Sequence, residues 1–408
     1  MNHMPMSKTV FKHLKLCILG LSIGILGGLI GAGFAHTLSL STALREAAPW
    51  IVLLLPVGGV ATVLLYRAFK MSQHGGTNEI IQNLKNNGEV KTMAAPLIFV
   101  TTAITHLFGG SAGREGAAIQ LGGAGAAAAS NALRLKDEER TVFMMSGMSA
   151  LFAGVFGTPL TAAFFILEFR FGRKVLSLAV LPCLIAAIVA QEVSFWLGIT
   201  AETVCLNNGV TFSFSSLWRV LILAIGVGLL GFGMCLAWDK AQGLAKRMVS
   251  DELLRAVLLG IALIALTACV GDMRYNNSGM NMTLAAVEGH SDWFDFILKI
   301  LFTAITLAAG FKGGKIVPTF CVGATFGCFL GGILGLDVGL AAALGLVGLF
   351  CCVTNSPVSA VFLGIEMFGF SSLPYYVIVC LKLWILSVNN GLFENRFFKS
   401  PVWIKLKK

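Results

Sequence analysis

Long apolar runs are the feature that most constrains this chain of 408 residues. A bilayer is crossed by about 20 consecutive apolar residues, and only 12% of the chain is charged, against ~25% in soluble domains. A water-exposed surface needs more charge, so the sequence predicts an all-α integral membrane protein with about 10–11 membrane segments. The apolar runs lie at about 16–35, 50–66, 94–108, 116–130, 142–168, 175–198, 217–237, 253–270, 294–310, 318–352 and 358–388.

The net charge of +10 does not indicate a nucleic-acid partner, because the basic residues form short clusters between the apolar runs. Such clusters are typical of the cytoplasmic loops of membrane proteins. Lys8, Lys12 and Lys15 precede the first run and predict a cytoplasmic N-terminal segment at 1–15 of a multi-pass cell-membrane protein. A basic C-terminal tail is predicted at 396–408.

Three patterns recur in the same order in the two halves of the chain, at offsets of 198 to 201 residues. They predict a first transmembrane repeat at 16–200 and a second at 210–395, because a period this long is far above that of solenoid repeats. The patterns pair Thr102–Thr105 with Thr303–Thr306, Gly113 and Gly123 with Gly313 and Gly323, and Pro159 and Glu168 with Pro357 and Glu366.

The first candidate site is the glycine-rich stretch 109–116, which lacks the Gly-Lys-Ser/Thr ending of a nucleotide-binding loop. It places Arg114 and Glu115 at membrane depth, where each charge costs ~2.5–3.5 kcal/mol and usually faces a pathway. A helix that begins here would point its N–H groups at an anion. We therefore expect Gly113, Arg114 and Gly116 to bind an anion and the Glu115 carboxylate to compete with it. The alternative is a tight helix-packing turn.

The second candidate site, 310–318, occupies the matching place in the other half. Pro318 suits the first turn of a helix, and Gly313 and Gly314 permit a sharp bend before it. The expected anion contacts are Gly314, Lys315, Ile316 and Val317. A cation ~4 Å from an anion contributes ~4 kcal/mol at an effective dielectric near 20; the alternative for Lys315 is a lysine that extends to the membrane surface.

A third polar segment enters a helix at 73–79, where Thr77 or Asn78 is expected to cap the helix and to contact the anion. No metal cluster, cofactor motif or hydrolase array is evident in the sequence. A membrane-embedded enzyme and a cation or organic-solute transporter are the alternatives, but the first needs a nucleophile and base and the second needs facing acidic residues.

These motifs resemble those of the CLC family of chloride channels and anion/proton antiporters. The resemblance rests on Thr-His-Leu-Phe-Gly-Gly-Ser-Ala-Gly-Arg-Glu-Gly at 105–116, on Gly-Gly-Lys-Ile-Val-Pro at 313–318, and on Gly-Gly-Thr-Asn at 75–78, where the family has Gly-Ser-Gly-Ile-Pro. It implies an inverted repeat of tilted and broken helices and a homodimer with one pore in each subunit.

The same resemblance implies roles for single residues. Glu115 would be the external gating glutamate, which carries the proton in antiporters. N–H groups near Lys315 and Ile316, with the Thr77 hydroxyl in place of the family's serine, would hold the anion.

Three departures from the family pattern bear on function. Glu79-Ile80 stands where Ile-Pro is expected, Phe169 stands where antiporters carry an inner proton-transfer glutamate, and Phe393 replaces the pore tyrosine. The lead-in to the first motif resembles the branch with the fluoride/proton antiporters, although Lys315 and Thr77 differ from that branch. The expected function is chloride transport, with fluoride/proton antiport as the alternative. If Lys315 approaches Glu115 it keeps that carboxylate ionised, which predicts weak or absent proton coupling.

Overall fold

The structure, a computed structural model, describes residues 6–72, 74–86, 88–169, 173–204, 206 and 213–386. Within these residues the secondary structure is helical, which confirms the prediction of an all-α membrane fold. The α-helices are α1 Met6–Ala47, α2 Leu55–Ala68, α3 Thr77–Lys85, α4 Ala94–Phe108, α5 Glu115–Ala132, α6 Asp137–Phe156, α7 Pro159–Leu167, α8 Arg173–Trp196, α9 Phe214–Met248, α10 Glu252–Val270, α11 Met280–Val287, α12 Asp295–Ala308, α13 Ile316–Leu334, α14 Val338–Thr354, α15 Pro357–Phe368 and α16 Leu373–Leu386.

Six helical stretches in the described residues are long and apolar enough to cross a membrane, and four further apolar helices are shorter. The long stretches are Val10–Ala47, Pro49–Ala68, Val175–Trp196, Phe214–Met248, Glu252–Val270 and Ile316–Leu334. The shorter ones arise because several predicted segments are broken. The single segment predicted at 142–168 ends as α6 at Gly157 and restarts as α7 at Pro159, since Gly157 takes a left-handed conformation that stops a helix.

The segment predicted at 318–352 is broken in the same way into α13 and α14. Gly335 is left-handed (φ +65°), and Asp337 then caps α14 by accepting a hydrogen bond from the Leu340 N–H at 2.8 Å. The run at 358–388 likewise divides at Gly369 (φ +88°) into α15 and α16. Apolar content alone could not locate these breaks, because short capping signals inside the runs set them.

The chain forms two compact units. The first contains Met1–His36, His74–Pro96 and Ala118–Glu202, and the second contains Thr37–Gln73, Leu97–Ala117 and Thr203–Lys408. These units are a different division from the predicted repeats, because two segments of the first repeat pack with the second half. The repeats and the tail segments therefore stay predictions.

In the first unit, α1 packs closely on α8 through glycines spaced four residues apart. A Cβ atom added at Gly20, Gly24 or Gly28 would lie 2.7–2.9 Å from a backbone carbonyl oxygen of α8. Small residues at this spacing let two membrane helices approach to backbone contact. Ion pairs from Lys12 to Glu138 (2.6 Å) and from Lys15 to Glu139 (2.8 Å) join the start of α1 to the first turn of α6.

The second unit carries both glycine-rich candidate loops. Its helices α13 and α14 also meet through glycines, with Gly323 facing the carbonyl oxygen of Gly345. A buried cluster that includes Leu55, Tyr275, Phe302 and Phe311 packs beside the loops. The loops are thus anchored on apolar packing in the same unit.

The cap of α14 gives a stability prediction. Asp337→Ala removes the acceptor for the Leu340 N–H, so we expect the free energy of unfolding in detergent to fall by ~1 kcal/mol. The matched control is Asp337→Asn, which keeps a side-chain oxygen and should stay close to the parent protein. Equal losses in both variants would contradict the capping role.

Candidate functional site

A pair of backbone hydrogen bonds joins the two glycine-rich loops in the second unit. The Gly113 N–H donates to the Gly314 carbonyl oxygen at 2.7 Å, and the Gly314 N–H donates to the Gly113 carbonyl oxygen at 2.6 Å. The starts of α5 and α13 follow these residues directly. The two motifs, about 200 residues apart in sequence, are therefore in direct contact.

The approach of the loops is so close that glycine is required. A Cβ atom at Gly314 would lie 2.7 Å from the Gly116 nitrogen and 3.3 Å from the Glu115 nitrogen. A Cβ atom at Gly116 would lie 3.0 Å from the Gly314 Cα. Any side chain at these positions would separate the starts of the two helices.

Glu115 is fully buried, and its carboxylate lies over the start of its own helix. Its Oε2 accepts a hydrogen bond from the Arg114 N–H at 3.1 Å, and the Arg114 Nε lies 3.7 Å from Oε1. A Cβ atom at Gly113 would lie 2.7 Å from Oε2, so glycine there also leaves room for the carboxylate. Negative charge is favoured at this end of a helix because the helix dipole is positive there.

Some N–H groups of the predicted anion site have partners within the loops. The N–H groups of Gly113 and Gly314 are already donated to each other, and that of Arg114 is donated to Glu115. With the carboxylate in place these three N–H groups are engaged, and anion binding by Gly113, Arg114 and Gly314 stays a prediction. Their role is to join the loops and to hold the carboxylate.

The other predicted contacts lie at the start of α13 or beside it. Lys315 is the residue before the helix, and Ile316 and Val317 are its first two residues. N–H groups of a first helical turn have no acceptor within the helix. Gly116 is in the first turn of α5. Anion binding by these four residues stays a prediction.

The Lys315 side chain is directed to α9. Its ammonium lies 6.0 Å from the ring centroid of Trp238, which is fully buried, and its charge interacts with Asp239. A cation over an aromatic face at this distance is attracted by the ring quadrupole. The contacts described for the Lys315 side chain are with α9, and its effect on the charge of Glu115 stays a prediction.

Sequence reasoning missed the threonines that hold the loops, although the signal was present in the repeat. The Thr105 hydroxyl donates to the Lys312 carbonyl oxygen in the second loop at 2.7 Å, and its repeat counterpart Thr306 accepts from the Ser111 N–H in the first loop at 3.0 Å. Each loop is thus bonded by a threonine that precedes the other loop. The Lys312 ammonium lies 4.4 Å from the ring centroid of Tyr66.

The third polar segment, from His74 onward, belongs to the first unit. Gly76 (φ +66°) precedes α3, which starts at Thr77, and no side-chain capping bond is made by the cap residue. The prediction that Thr77 or Asn78 caps the helix is wrong, because they are its first two residues. The Glu79 carboxylate instead accepts the Gly75 N–H at 2.6 Å and lies 2.9 Å from His74 Nδ1.

Anion contact by Thr77 and Asn78 stays a prediction. Phe169 is fully buried in the same unit, and its ring centroid lies 5.0 Å from that of Phe165. An apolar ring therefore occupies the position at which the sequence predicted that the inner glutamate is missing. Phe393 lies outside the described residues.

The fold and the site define a polytopic helical membrane protein in which two glycine-bent helix starts meet at a buried carboxylate. Broken helices that meet at membrane depth are typical of transport proteins built from repeats. A sequence model of the family described as "Voltage gated chloride channel" matches residues 58–382. The chain belongs to this CLC family, which confirms the resemblance found in the sequence.

Individual relatives agree with this assignment. The chain is 32% identical to a chloride/fluoride channel protein of Pseudomonas syringae pv. tomato, over 93% of this chain and 85% of that protein. It is 28% identical to the voltage-gated ClC-type chloride channel ClcB of Salmonella typhimurium, over 93% and 96%. The crystal structure of a CLC-type fluoride/proton antiporter has a TM-score of 0.87 at 32% identity, over 95% of this chain and 98% of that one.

The contact between the loops predicts that Gly314 tolerates no side chain. We expect Gly314→Ala to destabilise the folded protein by about 1–3 kcal/mol, because its Cβ would press on the Gly116 nitrogen. Thermal unfolding in detergent measures this loss. The matched control is Gly332→Ala in α13, where a Cβ meets nothing within 4 Å. A Gly314→Ala protein as stable as this control would contradict the described contact.

Proposed function

We propose that this protein moves a small halide across the membrane at the paired loops, with Glu115 as the gate. The observation that carries the proposal is the position of the Glu115 carboxylate, which is fully buried at the start of α5 beside Gly113. A helix start that accommodates the protein's own carboxylate is suited to an anion in the same place. Carboxylate and anion would then exclude each other.

The charges around the loops support an anion over a cation. Arg45, Arg114 and Lys299 all interact electrostatically with His106, which lies just before the first loop. Glu115 is the acidic residue within this loop. A cation pathway would need acidic groups facing both helix starts, whereas the matched positions carry one glutamate and one lysine.

Chloride and fluoride are the two candidate anions. The description of the matched family names chloride. Two relatives at 32% identity are named for fluoride, one of them together with chloride and one with protons, and this favours fluoride as the second candidate. Both ions are small enough to sit among backbone N–H groups without a dedicated cation.

Proton exchange through Glu115 is part of the proposal. A carboxylate that leaves the helix start when protonated would link the two fluxes. One relative of known structure is a fluoride/proton antiporter, and a further relative, from Vibrio campbellii, is named an H(+)/Cl(-) exchange transporter. Phe169 supplies no proton acceptor, so protons would take a different inner route in this chain.

The setting of the protein is also proposed. We place it in the cell membrane as a homodimer that acts as a transport protein and not as an enzyme, with the lipid bilayer around its apolar helices. The N-terminus is placed in the cytoplasm, because the Lys12 and Lys15 cluster follows the positive-inside pattern.

The first test measures halide flux from liposomes that contain the purified protein. We expect chloride or fluoride to leave along its gradient, and we expect pH recorded on both sides to reveal proton movement in the opposite direction. Protein-free liposomes are the control. Absence of flux for both anions would reject the transport function, and halide flux with no proton movement would reject exchange.

The second test removes the charge of the gate. Glu115→Gln keeps the shape of the side chain but cannot carry the proton, so we expect halide flux to lose its coupling to protons and its dependence on pH. The matched control is Glu288→Gln, an exposed glutamate of the same unit, which should behave as the parent protein. Unchanged pH dependence in Glu115→Gln would remove the gating role.

A further inference from the structure

Lys299 in α12 is a buried cation that contacts the first loop. Its exposure is 0%, and its ammonium donates to the Ser111 Oγ (3.0 Å), the Tyr275 carbonyl oxygen (3.1 Å) and the Asn277 carbonyl oxygen (2.6 Å). An ammonium has three hydrogens, so these three acceptors use its donors fully. None of the acceptors carries a charge.

The positive charge of Lys299 is not neutralised by a carboxylate within 4.0 Å in the described part of the chain. Asp295, one helical turn away, is engaged elsewhere: Arg274 lies 3.0 Å from Oδ1, and the Tyr275 hydroxyl donates to the same oxygen. Arg274 and Tyr275 lie in the loop before α11. Burial alone would lower the pKa of Arg274, but the hydrogen bond to Asp292 and the charge of Asp295 raise it above its ordinary value.

Tyr275 stays neutral in this group. Burial and the hydrogen bond to Asp295 raise the pKa of its hydroxyl above the ordinary value. The carboxylate of Asp295 is therefore shared between a charged Arg274 and a neutral Tyr275. The Asp295 carboxylate therefore does not compensate the positive charge of Lys299.

A second buried cation, Arg45 in α1, lies against the end of α4. Arg45 is 4% exposed and donates to the His106 carbonyl oxygen at 2.7 Å, at the end of α4. Its charge interacts with that of Lys299. Two buried like charges repel, so the protein keeps a positive potential here at a cost in stability.

Lys299 is connected to the gate through the first loop. Lys299 contacts the Ser111 hydroxyl, which is also hydrogen-bonded to the Thr303 hydroxyl at 2.9 Å. The Ser111 N–H donates to the Thr306 hydroxyl at 3.0 Å. Ser111 lies two residues before Gly113, which pairs with Gly314, and four residues before Glu115. Movement of the Ser111 hydroxyl would therefore shift the segment that carries the gate.

We propose that Lys299 is a positioning residue of the anion pathway: it fixes the loop at Ser111 and supplies an uncompensated positive charge that raises the affinity of this region for the halide. This inference rests on the proposed function. The three oxygens that accept from Lys299 are neutral and supply no counter-charge, so these hydrogen bonds alone do not account for a full buried charge. A positive potential beside a dehydrated pathway concentrates anions, which does account for it.

The experiment measures initial halide efflux from liposomes as a function of halide concentration. We expect Lys299→Met, which keeps the length of the chain but removes the charge, to raise the half-saturating concentration about 10-fold. Lys299→Arg keeps the charge and should stay within about 3-fold of the parent protein. Lys240→Met removes an exposed lysine of α9 in the same unit and is the matched control, with unchanged kinetics expected.

The outcomes separate this inference from the transport proposal. No efflux by the parent protein rejects the proposed function and this inference with it. Efflux by the parent protein with an unchanged half-saturating concentration in Lys299→Met, or equal losses in the Met and Arg variants, rejects the inference alone. If Lys299→Met yields no folded protein, Ser111→Ala decides: the half-saturating concentration should rise, and no rise overturns the proposal.

Discussion

The two hydrogen bonds between Gly113 and Gly314 are the interaction on which the candidate site depends. At membrane depth each backbone N–H and carbonyl needs a partner, and irregular backbone is stable only where it finds one inside the protein. Here each loop supplies the partner of the other. The absence of side chains at Gly116 and Gly314 follows from this, since a Cβ on either would press on the backbone of the other loop.

The threonines that precede the loops give this pair its support. Thr105 bonds the second loop, and Thr306, its counterpart in the other half, bonds the first. Because each half of the chain bonds the loop of the other half, neither loop is positioned by its own half of the sequence alone. A change in either threonine is therefore transmitted to both helix starts.

The sequence allowed the class of fold, the two loops, the starts of α5 and α13 and the importance of Glu115 to be predicted, because each depends on local signals: apolar length, glycine, proline and charge. It did not allow the partners of individual groups to be predicted. The exchange of hydrogen bonds by Gly113 and Gly314 depends on residues about 200 positions apart, and the direction of Lys315 depends on Trp238 in α9. The cap of α3 was predicted one position too late along the chain. Threonine is a preferred cap residue, so Thr77 was chosen, but the cap residue is Gly76. Lys299 lay in an apolar run and gave no signal beyond its charge.

The position of the Glu115 carboxylate has a further consequence for how the proposed gate responds to its surroundings. A group attached to the chain next to its binding place acts as an intramolecular ligand with a local concentration of about millimolar or more. A free halide would have to outcompete this tethered ligand. The concentration of external halide would therefore decide whether the halide or the carboxylate occupies the binding place. A fall in external halide would then close the path through the return of one side chain, without any rearrangement of the helices.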